Sequence, residues 1–195
     1  MATNTLPEIK TKPETKRRKK RVGIYLRNVI ERRVRLPFSE IGSNLNINIL
    51  KKIKGMVEGK CNKEGYIKTD SVRIVSISSG VLEKEFVVYS VSFECLVCNP
   101  VENMRIRCKV VNITKAGIRA IYGDNEDKSP LINYIARDHN YNNKTFNECK
   151  VDDVIETRVI GIRYELNDNK IHVISEIIKQ RSKRQATRQA KITIN

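Results

Sequence analysis

Over residues 22–36 the chain alternates with a two-residue period. Val29, Glu31 and Arg33 share one parity, and Ile30, Arg32, Val34 and Leu36 the other. Successive side chains of a strand point to opposite faces, so this pattern specifies a long strand with one apolar face. Strand-like runs recur at 56–61, 66–77 and 86–98, separated by glycine-containing or charged turns at 63–65 and 78–85. Between the first strand and these runs, Leu45, Ile49, Leu50 and Ile53 fall at helical spacing. Ser43 or Asn44 is placed to cap that helix and Gly55 to close it. Strand, helix and then a meander of strands predict a compact α+β domain ending near Pro100.

The block from 101 to 178 is almost wholly strand-like. Residues 104–113 and 117–122 read as strands, and 154–164 with 170–177 as a hairpin around Asn167, Asp168 and Asn169. Between the pairs lies a polar stretch, 123–149, with a small apolar patch at Leu131, Ile132, Tyr134 and Ile135. Five short strands with one longer insertion after the third predict an all-β Greek-key barrel of the OB type. The expected organisation is therefore a basic arm (1–21), an α+β domain (22–99), a barrel (100–178) and a basic tail (179–195).

Charge follows the same division. The chain has 195 residues and a formal net charge of +16. Residues 1–21, which include the run KRRKKR, carry +6, and residues 179–195 carry another +6. The tails are too polar to fold alone, while 100–178 balances twelve basic against twelve acidic residues. The total points to a polyanionic partner, but a specific contact surface in the body has to be a local cluster. The arm is a solvated tail, a nuclear import signal or a nucleic-acid contact. No apolar run reaches the length of a membrane span and the start lacks a secretory signal, so an intracellular, soluble protein without a membrane partner is expected.

Catalytic signals are sparse. Cys95 and Cys98 form a CxxC, but inside a strand, where residues three apart face opposite ways, and no second pair lies at finger spacing. Five cysteines at irregular spacings do not read as a disulfide framework. His139 and His172 accompany no nucleophile motif, and neither GxSxG, HExxH nor a phosphate-cradling glycine loop occurs. Asp124, Glu126 and Asp127 lack the glycine turn and terminal glutamate of a calcium loop and read as a solvated turn. A non-catalytic protein with no metal or cofactor is expected; a nuclease or metal enzyme is the minority reading. The best ligand-contacting candidates are Arg105, Arg107, Lys109, Lys115, Arg119 and Tyr122, because alternation places Arg105, Arg107 and Lys109 on one strand face, where they form a stripe able to track phosphates. The alternative is an ordinary solvent face. Aromatic platforms are few, and Ile118 stands where one would be useful.

Certain strings resemble a known family. Val57-Glu58-Gly59-Lys60-Cys61, Gly65-Tyr66-Ile67, Gly80-Val81-Leu82 and Phe86-Val87-Val88-Tyr89, with Val91 and Phe93 leading to Asn99-Pro100, resemble the amino-terminal domain of the stalk subunit of multisubunit RNA polymerases. In eukaryotic polymerase II this is the seventh subunit, and archaea have a counterpart. Val110-Val111-Asn112, Lys115-Ala116-Gly117-Ile118, Asp153-Val154-Ile155 and Val159-Ile160-Gly161-Ile162-Arg163 resemble its RNA-binding OB domain. The likeness runs in order over about residues 24–178.

The resemblance implies a non-catalytic tip domain that docks on the polymerase core, a barrel near nascent RNA and a smaller helical partner. It places Cys61, Asn62, Lys63, Glu64 and Gly65, with Ser78, Ser79, Gly80, Val81 and Leu82, at the core-facing tip. Both basic tails fall outside the pattern, and the stretch 123–149 matches it poorly. The Asn, Ile and Lys bias fits an AT-rich genome such as that of a large DNA virus. Localisation is then the nucleus, or the virion and host-cell site of transcription. A free-standing RNA-binding factor in translation or RNA decay is the competing reading.

Overall fold

A computed structural model of the chain describes residues 23–140 and 143–179. The arm, all but the first residue of the tail, and the side chain of Lys179 lie outside the described residues. Among the described residues eleven strands form two sheets, accompanied by two α-helices and a single 3-10 turn (Phe38–Glu40), and the buried side chains fall into two clusters.

The first sheet is organised by two thirteen-residue strands, β1 (Tyr25–Pro37) and β6 (Phe86–Cys98), paired antiparallel along their whole length. Its register puts Ile30 opposite Phe93 and Val34 opposite Tyr89. The predicted apolar parity of β1 is the one that packs inward: Ile30, Val34 and Leu36 are buried, while Val29 is exposed. Helix α1 (Leu45–Val57) covers that face with Ile49, Ile53 and Val57. Phe93 is fully buried at the centre.

The local elements correct several expectations. Gly55 lies inside α1, which runs on because Val57 is buried; the helix leaves through Glu58 and then Gly59, whose φ of +70° suits glycine. Asn44 stands at the cap position without a side-chain capping bond. The run 56–61 is thus the helix end and the start of a two-residue strand, β2 (Cys61–Asn62), which pairs with β3 (Gly65–Ile67). The run 66–77 is broken between β3 and β4 (Arg73–Ile77) by a turn with Asp70 at φ +55° and the Ser71 hydroxyl donating to the Lys68 carbonyl. The turn 78–85 contains β5 (Val81–Glu83), which forms a tight hairpin with β6. Three short strands, β3, β4 and β5, share one side of β6, and β1 takes the other.

The second sheet closes into a barrel: β7 (Arg105–Ile113), β8 (Gly117–Ile121), β9 (Leu131–Ala136), β11 (Ile171–Lys179) and β10 (Val154–Arg163), with β10 returning to β7. Only β9 and β11 pair in parallel. This is the expected OB-type barrel, and the patch at Leu131–Ile135 proves to be strand β9. The rest of the polar stretch includes a short helix, α2 (Lys144–Glu148), whose Phe146 is buried. Gly117 is required sterically, since a Cβ there would lie 2.2 Å from the Ile135 carbonyl oxygen. Across the lumen Asn133 donates to Thr157 Oγ1 at 2.9 Å and accepts from Ser175 Oγ at 2.6 Å, so three fully buried polar side chains satisfy one another.

The two halves meet in a bonded seam. Cys61 donates its N–H to the Asp168 carbonyl at 2.8 Å and accepts from Asn167 N–H at 2.9 Å, clipping β2 to the β10–β11 turn. Ile24, Cys61, Tyr66 and Cys98 belong to the same buried cluster as the barrel interior.

Candidate nucleic-acid interface

Strand β7 presents Arg105 and Arg107 outward as alternation predicted, with Ile106, Cys108 and Val110 inside. Its charge is partly answered locally. Lys109 Nζ lies 2.9 Å from Asp152 Oδ1, and this hydrogen bond raises the ammonium pKa. Arg107 faces Glu156 in the β7–β10 register. Arg119 on β8 holds Glu126 at 2.5 Å, so one carboxylate of the acidic turn serves as its counter-ion. Among the described residues Arg105, Arg107 and Lys115 have no ion-pair partner. Tyr122 is half-buried against the barrel core rather than standing open as a stacking platform, and Ile118 points fully inward. The six predicted residues therefore separate: Arg105 and Arg107 stand free at one end of β7, Lys115 stands in the turn beyond its other end, and Lys109 and Arg119 are paired.

That second end of β7 holds a feature the sequence concealed. Asn112, Arg119, Tyr134 and Ile174 form a row across β7, β8, β9 and β11, in which Arg119 pairs with both Asn112 and Tyr134, and Ile174 pairs with Tyr134. With Gly117 and its neighbours they line a mainly apolar groove of about 320 Å³. Tyr134 is exposed, and its ring stacks on His172 with centroids 5.8 Å apart and planes 14° from parallel. An exposed aromatic pair next to the turn that carries the unpaired Lys115 combines a flat face able to take a base with a cation able to meet a phosphate, while the Arg119 guanidinium of the row is held by Glu126.

The segments expected at the docking tip are not brought together. Gly65 and Tyr66 lie beside the Cys98 end of β6, and the turn there is engaged by the barrel through Cys61. Arg32 also holds this turn, donating to Glu64 at 2.6 Å. Val81 and Leu82 pair at the Phe86 end, about ten residues or roughly 33 Å of extended strand away. At that distal end Val81, Leu82, Phe86 and Phe38 are all exposed.

The cysteines face apart: Cys95 packs under α1 and Cys98 into the seam. Burial pushes their thiols up to about 11 and about 12, and Cys61 and Cys108 each to about 11, so all four are held protonated near neutrality. Among the described residues no cluster of three or more His, Cys, Asp or Glu could hold a metal ion, and no helix is long and apolar enough to cross a membrane.

Fold and face together define a class: an α+β head carrying an OB-type barrel whose outer surface offers stacked rings and cations. No family model matches the chain. A protein of Acanthamoeba polyphaga mimivirus, provisionally described as a DNA-directed RNA polymerase subunit, is 28% identical to it over 171 residues, covering 80% of this chain and 83% of its own length.

Proposed function

We propose that this chain is an accessory subunit of a DNA-directed RNA polymerase, of the stalk kind, held on the core enzyme by its head and touching nascent RNA with its barrel. The observation that carries the reading is the extent of the mimivirus similarity. Residues 100–178 are 79 of 195, so a match covering 80% of the chain takes in much of the head as well as the barrel. A free RNA-binding factor built on the barrel alone gives no reason for a shared head.

On this reading the core-facing surface is the distal end of the first sheet, with Val81 and Leu82 joined by Phe38 and Phe86. The turn at 61–65 serves the seam instead. The RNA surface is the groove around Tyr134, extended along β7 toward Arg107 and Arg105. The chain's work is binding, at the place where polymerase acts: the nucleus, or the site where a large DNA virus transcribes its genes. A smaller helical partner would lie alongside.

Purifying the affinity-tagged chain from its native source tests this directly. Polymerase large subunits are expected to co-purify, and a clean preparation without them overturns the assignment.

A further inference from the structure

Arg137 is exposed, basic and adjacent to the groove, which in sequence would make it one more candidate for phosphate contact. Its guanidinium is already engaged. Nε donates to the Lys115 carbonyl at 2.8 Å, Nη2 reaches the Thr114 carbonyl at 3.4 Å, and the group sits 5.4 Å from the centroid of the Phe146 ring. Its backbone N–H donates to the Ala116 carbonyl at 3.0 Å. All three carbonyls belong to the β7–β8 turn, whose Thr114 and Ala116 line the groove together with Gly117 at the start of β8, and whose Lys115 has no ion-pair partner among the described residues.

The other side of the clamp is anchored. Phe146 is buried on α2, and Asn143, which caps that helix through Thr145 N–H, donates to the Ile177 carbonyl at 3.0 Å. Asn140 accepts from Ile177 N–H at 3.1 Å and donates to the Ala136 carbonyl at 2.9 Å. A continuous set of contacts thus runs from β11 through α2 and Arg137 to the turn. Only a planar fork can serve two carbonyls and an aromatic face together; a lysine at the same place supplies charge without that geometry.

We propose that Arg137 is a positioning residue for RNA binding: holding the Thr114 and Lys115 carbonyls while resting on Phe146, it fixes the turn that walls the Tyr134 groove and sets where Lys115 stands. This rests on reading the barrel face as an RNA surface.

The test uses the full chain and a short labelled single-stranded oligouridylate, with affinity followed by fluorescence anisotropy across a salt series. Arg137→Ala and Arg137→Lys are each expected to weaken binding on the order of fivefold, with the slope of log affinity against log salt unchanged. Lys115→Ala should instead lower the slope by about 0.7, one released counterion. Three results overturn the proposal: wild-type affinity in Arg137→Lys, a reduced slope in Arg137→Ala, or no effect of either variant. Thermal unfolding checks that the barrel is intact. Should Arg137→Ala unfold it, Phe146→Leu keeps the guanidinium and removes the ring; the same loss of affinity at constant slope is expected, and unchanged affinity overturns the proposal. Tyr134→Ala separates this inference from its premise. Weakened binding there with unaffected Arg137 variants defeats only the clamp, whereas unchanged binding in all of them defeats the RNA face itself.

Discussion

The head and the barrel solve the same problem, burying one face of a sheet, in opposite ways. The barrel closes β10 onto β7, so each of its strands has two neighbours, and its interior tolerates Asn133, Thr157 and Ser175 because they satisfy one another. The head stays open: α1 covers one face, and among the described residues β1 pairs only with β6, which leaves its other edge without a strand partner. An open sheet with an unpaired edge is the kind of surface that a partner covers, and a closed barrel is the kind that has no edge left to pair. The proposed division of labour follows from that contrast.

Four measurements sharpen or break it. The largest effect is expected at the centre of the head, where Phe93→Ala opens a cavity under α1 and costs about 3–5 kcal/mol in urea denaturation. Next comes the barrel's polar centre: Asn133→Ala strands the Ser175 hydroxyl, while Thr157 keeps its bond to the Ile106 carbonyl, at a cost of about 1–3 kcal/mol, and a neutral result would mean that the network is dispensable. A smaller effect belongs to Glu64. Partial burial raises its pKa, but the hydrogen bond and charge of Arg32 outweigh this and hold the carboxyl below its ordinary 4.5. A depressed carboxyl stabilises the fold fully above its unfolded pKa and loses that contribution as pH falls through the folded value. Wild type should therefore lose about 1 kcal/mol more than Glu64→Gln on acidification below that range, as read by denaturation at each pH. Smallest in stability is the double variant Val81→Asp, Leu82→Asp, expected within about 0.5 kcal/mol of wild type because both sites are exposed, yet expected to lose polymerase in a pull-down. Retained polymerase with that variant would move the docking surface away from the distal end.

What could be read from sequence tracks how local the determining contact is. Strands β1 and β6 were legible because each carries its own alternation over thirteen residues. The barrel hairpin β10–β11 was legible from its turn. Strand β9 was not, because Leu131, Ile132 and Asn133 are all buried in succession, which erases the two-residue period. Strand β5 was hidden by being three residues long and solvent-exposed, its identity supplied by the ladder with β6. The stripe on β7 was visible as alternation, but the pairing of its Lys109 with Asp152, and of Arg119 on β8 with Glu126, depends on turns elsewhere in the chain. The Tyr134–His172 pair escaped entirely: 38 residues separate the two rings in sequence, and only the parallel β9–β11 pairing sets them side by side.

The bond pair between Cys61 and the Asn167–Asp168 turn has a mechanical meaning. Besides the covalent crossing between β6 and β7, it gives the two halves a second point of attachment, and two attachments resist swivelling where one would permit it. A load applied to the barrel is therefore delivered to the head as torque rather than dissipated in a loose joint.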